Sequence, residues 1–134
     1  MQLRYHFFES ERVLIIQCQK ELTLKHFEET LITVIRHPKF TRRYDIIVDL
    51  RLVDNKLNRD DFDALVTIFR DYPHPNRRVA LVCEGPIMTA YGYLFSRKAR
   101  KPNVSVFSTL EGASNWLGFD SAKALDYFDP TRQQ

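Results

Sequence analysis

Residues 3–7, Leu-Arg-Tyr-His-Phe, alternate apolar and polar, the period of a strand with one half-exposed face. The polar break Glu9-Ser10-Glu11 separates them from the apolar run at residues 12–18, so the two segments predict an antiparallel hairpin. The rhythm then lengthens. After Thr23, an N-cap candidate, Leu24, Phe27, Leu31, Val34 and Ile35 recur at helical spacing until Pro38. Residues 45–50, Asp-Ile-Ile-Val-Asp-Leu, predict a central strand covered on both faces.

A second helix follows Asn58, another cap candidate, with Phe62, Leu65, Val66, Phe69 and Tyr72 ahead of the Pro73-His74-Pro75 turn. Residues 78–83 repeat the buried-strand pattern. Pro86 suits the first position of a third helix, whose apolar residues are Ile87, Met88, Tyr91, Leu94 and Phe95 and which ends at Lys101-Pro102-Asn103. Residues 104–107 give a last short strand. Ser108, with Glu111 three residues on, reads as a capping box, and Ala113, Trp116 and Leu117 form one side of a fourth helix that Gly118 ends in a left-handed conformation. Residues 119–134 form a C-terminal helix or tail around Ala122, Leu125 and Phe128, with Asp129-Pro130 and the polar end expected to fray.

The element order is therefore β-β-α-β-α-β-α-β-α. It predicts an α/β domain with a mostly parallel sheet of about five strands and an antiparallel N-terminal hairpin. The 134 residues suit one domain, and a 44% apolar composition with dispersed charge favours a folded chain. Charged residues break up the N-terminal segment, and no run approaches the ~20 apolar residues of a membrane helix. Cytoplasmic location without membrane insertion is the expectation. Cys18 and Cys83 are then small buried thiols rather than a bridge or a redox pair.

The formal charge of +3 is mildly basic, and its main cluster, Arg97, Lys98, Arg100 and Lys101, falls at a helix end where cations complement the dipole. No nucleic acid is expected as partner. His6, His26, His37 and His74 have no metal-ligand spacing. Asp49, Asp54, Asp60 and Asp61 lie near the carboxyl end of the central strand, where carboxylates bind magnesium in some α/β enzymes. The structural alternative gives Asp49 to Arg51, Asp54 to a turn, and Asp60 and Asp61 to a helix N-terminus. Glu84-Gly85-Pro86 lacks the repeated glycines of a phosphate loop. Tyr91, Tyr93 and Phe95 beside Arg97 and Lys98 resemble a single-strand nucleic-acid platform in composition. Tyr91 and Phe95 share a helix face, however, and read as core. No catalytic, cofactor or metal set is assigned.

Glu21-Leu22-Thr23, Val48-Asp49-Leu50-Arg51, Arg78-Val79-Ala80-Leu81-Val82 and Ala113-Ser114-Asn115-Trp116-Leu117-Gly118, in this order over residues 12–118, resemble the STAS-type domains. These are the sulfate-transporter and anti-sigma-factor-antagonist group with the SpoIIAA-like fold, and within it the chain is most similar to a branch of short uncharacterised bacterial proteins. The resemblance implies an interaction module with a partner-docking loop at Asp54, Asn55, Lys56 and Asn58. In the antagonists this loop carries an Asp-Ser pair whose serine is phosphorylated. Here no hydroxyl residue lies between Leu50 and Val66, so that switch does not carry over.

Three readings stand. The first is a non-catalytic regulatory or protein-interaction module, whose partner is another protein or a second copy of the chain. The second is a small-molecule or lipid-binding domain, suggested by the aromatic content and a lipid-carrying branch of similar architecture. The third is a metal-dependent phosphatase using Asp49 and Asp54.

Overall fold

A computed structural model describes residues 2–41, 43–71, 78–100 and 103–128. The alternating segment forms β1 (Gln2–Phe8), antiparallel to β2 (Val13–Leu22) with His6 opposite Ile15. Between them Arg12 takes a left-handed φ of 56° and donates its N–H to the Glu9 carbonyl at 3.3 Å, closing the turn. Helix α1 (Leu24–Arg36) starts at Thr23, whose hydroxyl accepts from the His26 N–H at 3.2 Å. Then follow β3 (Asp45–Asn55), α2 (Arg59–Asp71), β4 (Val79–Val82), α3 (Pro86–Lys98), β5 (Val104–Phe107), α4 (Leu110–Trp116) and α5 (Ser121–Phe128). The sheet order is β1-β2-β3-β4-β5, parallel throughout except for the β1–β2 pair.

This strand order dictates the layers. Each parallel strand lies one place further in the same direction, and right-handed crossovers then put every connecting helix on the same side. Leu14, Ile16, Ile46 and Leu81 accordingly pack with Val34 of α1, Phe62 and Leu65 of α2 and Phe95 of α3. The other sheet face has no crossover helix and is covered by the chain after β5. Val13, Ile15, Ile47, Ala80 and Val82 pack there with Leu110 and Ala113 of α4, Phe119, and Ala124 and Phe128 of α5. The alternation of cluster membership along β2 and β4 is the period of two that a strand imposes.

Polar ties help to hold the second layer on, Lys123 of α5 pairing with Glu11 in the β1–β2 turn. The guanidinium of Arg78 donates to Asp45 Oδ2 at 3.3 Å and to the carbonyls of Trp116 and Leu117 at 2.8 and 3.2 Å, and lies 5.4 Å from the Trp116 ring centre. It therefore fills the carbonyl end of α4. Beyond it Gly118, at φ 68°, lets the Phe119 N–H reach the Ser114 carbonyl at 2.9 Å. Deeper in, the buried Gln17 amide donates to Asp49 Oδ2 at 3.2 Å and to the Phe128 carbonyl at 2.9 Å. Its carbonyl accepts from Gln19 at 3.0 Å and Arg4 at 3.5 Å. Arg51 closes on Asp49 with two hydrogen bonds of 2.9 Å.

The structure departs from the sequence expectations at several points. Strands β2 and β3 run past their apolar stretches, Gln19 to Leu22 pairing with Leu52 to Asn55 across a register shift between Gln17 and Gln19. Asp54 and Asn55 therefore lie in a strand, not in a docking loop: backbone pairing continues after the core side chains end. The α4 cap is Thr109 rather than Ser108, its hydroxyl accepting from the Gly112 N–H at 2.9 Å. Starting the helix there turns Leu110 into the core and puts Gly112 where a capping box needs a glutamate. Ile87 and Leu94 are exposed, as is Ala122, and α5 turns Ala124, Leu125 and Phe128 inward. Tyr72, the 73–75 turn, Lys101-Pro102 and residues 129–134 lie outside the described residues.

Asp49→Ala strips two hydrogen-bond networks of their buried acceptor, so urea unfolding should show a loss of about 3 kcal/mol. Asp49→Asn, which keeps one carbonyl oxygen, should lose less.

Candidate functional site

The α1–α3 face is not filled. A cavity of about 410 Å³ lies between sheet and helices. Its floor is the row of alternate residues Ile16, Cys18, Ile46, Val48, Leu50 and Leu81, and its roof takes Phe27, Leu31 and Ile35 from α1, Phe62 and Phe69 from α2, and Met88 and Tyr91 from α3. Close-packed interiors leave few voids larger than a water molecule, whereas small-molecule pockets run from about 300 to 1,000 Å³.

Helix α1 explains the opening. Its apolar stripe is the predicted one, yet only Val34 is fully buried, and Leu24, Phe27, Leu31 and Ile35 remain partly accessible. At α3 the packing is tight instead. A Cβ on Gly92 would meet Cys83 Sγ at 2.9 Å and Val106 Cγ1 at 3.3 Å, so glycine lets this helix lie close on the sheet.

The lining is chemically uniform. Among the described residues no Asp, Glu, Lys, Arg or His side chain contributes to it. Polar groups are few: Thr30, Thr41, Asn55, the Tyr91 hydroxyl and the Cys18 thiol. Asn55 spends its carbonyl oxygen on the Leu57 N–H at 2.9 Å. Burial pushes the Cys18 thiol from 9.0 up to about 12, with the Asp49 charge adding to the shift. Burial likewise raises Cys83 to about 11. Thiols so raised are protonated at neutral pH and make poor nucleophiles.

The carboxylates go elsewhere. Asp49 faces the opposite layer, with Arg51 and Gln17 on it. Asp54 is exposed and pairs with Lys56 at 3.2 Å. Five residues of strand, roughly 16 Å at ~3.3 Å per residue, separate the two aspartates, too far for one shared ion. Asp60 and Asp61 occupy the first turn of α2, and Asn58 caps that helix by accepting from the Asp61 N–H at 2.7 Å. Among the described residues no three His, Cys, Asp or Glu side chains converge as metal ligands. His37 stacks on Phe7 at 4.5 Å, and His74 lies outside the described residues.

A solved structure from Shewanella loihica PV-4, an uncharacterized protein of the DUF3478 family with a SpoIIAA-like fold, superimposes with a TM-score of 0.55 at 16% identity, over 87% of this chain and 92% of that one. The fold is SpoIIAA-like. No sequence profile of a known protein family matches the chain, and no curated protein does.

In this SpoIIAA-like chain the residues singled out for docking are spread over two elements. Asp54 and Asn55 end β3, Lys56 donates its N–H to the Leu22 carbonyl at 3.0 Å, and Asn58 is the α2 cap. Among the described residues no helix is long and apolar enough to cross a membrane. Sequence reasoning named Tyr91 and Phe95 as core, but missed the floor row at Cys18, Val48 and Leu50. Their strand alternation was the available signal.

The raised thiol values set a direction with pH. An unfolded chain ionises its thiols near 9.0 while the folded one keeps them protonated, so stability is full below that pH and falls as pH rises toward 11 and 12. Melting temperature should drop across this window, and less in Cys18→Ala. At pH 7 a thiol-reactive disulfide reagent should modify neither cysteine until the chain is unfolded.

Proposed function

We propose that this domain binds an apolar small molecule or a lipid acyl chain between the sheet and helices α1 to α3. The observation that carries the reading is a cavity of about 410 Å³ to which, among the described residues, no charged side chain contributes. A neutral apolar ligand loses no hydrogen bonds there and gains about 25 cal/mol for each Å² of surface removed from water. A charged group would lack a partner inside and belongs at the mouth or in solvent. Helix α1, attached to the core through Val34 and otherwise half accessible, is the wall best suited to yield for entry.

The reading assigns the domain binding and no chemical step. The regulatory reading rests on fold type, and its docking residues Asp54, Asn55, Lys56 and Asn58 lack a hydroxyl for a phosphate switch. The phosphatase reading relies on Asp49 and Asp54, which lie about five strand residues apart, Asp49 being taken by Arg51 and Gln17.

The test is titration with an environment-sensitive apolar fluorophore, followed by displacement with fatty acids of graded length. Saturable binding is expected. Leu31→Trp, which projects extra volume into the cavity, should weaken it about tenfold or more. Ile32→Trp, one residue away on the exposed side of the same helix, should leave it unchanged. Absence of saturable binding, or equal loss in both variants, would overturn the proposal.

A further inference from the structure

Helix α3 is apolar on both sides. Met88, Tyr91 and Phe95 face the cavity and core, while Ile87, Tyr93 and Leu94 are 71%, 57% and 38% exposed. A helix apolar all round is ordinarily covered all round. The outer stripe runs Ile87, Ala90, Leu94, Arg97, at the i, i+3, i+7, i+10 spacing of one helix face. Glu84 stands at its amino end, just ahead of the Gly85 cap, and every member of the stripe is exposed.

The order of these residues is self-complementary. Ile87 lies three residues before Ala90 and Leu94 three after Tyr91; Glu84 lies six before Ala90 and Arg97 six after Tyr91. Turned about a two-fold axis between Ala90 and Tyr91, the stripe sets Ile87 against Leu94 and brings Glu84, in the turn just ahead of the helix, to the end where Arg97 of a second copy lies. The small Ala90 falls at the crossing, where two helix backbones approach most closely. The segment Pro86–Lys98 itself carries no acidic residue, and Lys98 is held by Asp63 at 3.0 Å. Charge therefore selects the pairing. A parallel mate places arginine beside arginine and glutamate beside glutamate, and the antiparallel one pairs opposites.

We infer that α3 is a homodimer interface, packed antiparallel on the α3 of a second copy about this two-fold axis. A 13-residue helix is about 20 Å long, so the contact falls at the small end of specific interfaces and the dimer is reversible. It uses the outer side of α3, leaving the cavity side to the ligand, and stands independently of the binding reading.

Sedimentation over a concentration series tests it. Glu84→Arg and Arg97→Glu should each weaken dimerisation about tenfold, and the double variant E84R/R97E should restore it. Loss of the favourable helix-end charges should lower circular dichroism melts only slightly at concentrations where the chain is monomeric. Ala90→Cys offers a second test. Cysteines at the axis should cross-link under mild oxidation, while those of Arg100→Cys, more than about 25 Å from their symmetry mates, should not. A chain monomeric at every concentration, a dimer indifferent to charge reversal, or a double variant no tighter than the single ones would overturn the inference.

Discussion

The fold depends on one buried amide. Gln17 sits in β2 among apolar neighbours, and its four hydrogen-bonding positions are all taken: two donors by Asp49 and the Phe128 carbonyl, two acceptor sites by Gln19 and Arg4. Apolar burial has no direction and leaves a short helix such as α5 free to slide. A fully satisfied polar group fixes its position, because any shift leaves buried partners unpaired. Gln17 thus joins β1, β2, β3 and α5 at one point. Arg4 adds to the clamp by lying 5.7 Å from the Phe128 ring centre.

The need for such a clamp follows from the strand order. Same-sense crossovers pile three helices on one face and leave the other to whatever comes after β5. The two faces then differ in character. The α4 and α5 side is dense and pinned by Gln17 and Arg78, with Leu110, Ala113 and Phe128 almost wholly out of solvent. The side with three helices has more length to arrange around the same floor, and α1, with Phe27, Leu31 and Ile35 lining the cavity, is only partly buried against it. A cavity beside a rigid sheet is the outcome, and Gly92 limits it by drawing α3 down.

Much of this could be read along the chain. Ile46-Ile47-Val48 and Val79-Ala80-Leu81-Val82 announced central strands because both faces are covered, and Thr23 and Asn58 announced helix starts because their side chains have a local task. The pairing of Asp49 with Arg51 was also visible, since both belong to one strand. What was not legible depends on distance or on fit. The Gln17–Phe128 contact spans 111 residues, and no local pattern signals it. The polar ends of β2 and β3 look like loop because backbone pairing leaves no mark in side-chain chemistry, which misplaced Asp54 and Asn55. The cavity was hidden for a third reason. Spacing shows that Phe27, Leu31 and Ile35 face inward, but how closely they approach the floor is set by α3 and the sheet.

The same buried amide bears on how the molecule is made. During synthesis from the amino end, β1 to β4 and their crossovers emerge first and can collapse against Leu14, Ile16 and Leu81. The row Val13, Ile15, Ile47 and Val82 has no cover until residues 110–128 have left the ribosome. Pairing over such a separation is slow because the entropy of closing the intervening chain is lost before the contact forms. For that interval the nascent chain presents an apolar sheet face to its surroundings, the kind of surface that chaperones hold. Release from that state waits on the arrival of Phe128, so the last turn of α5 acts as the latch of biosynthesis.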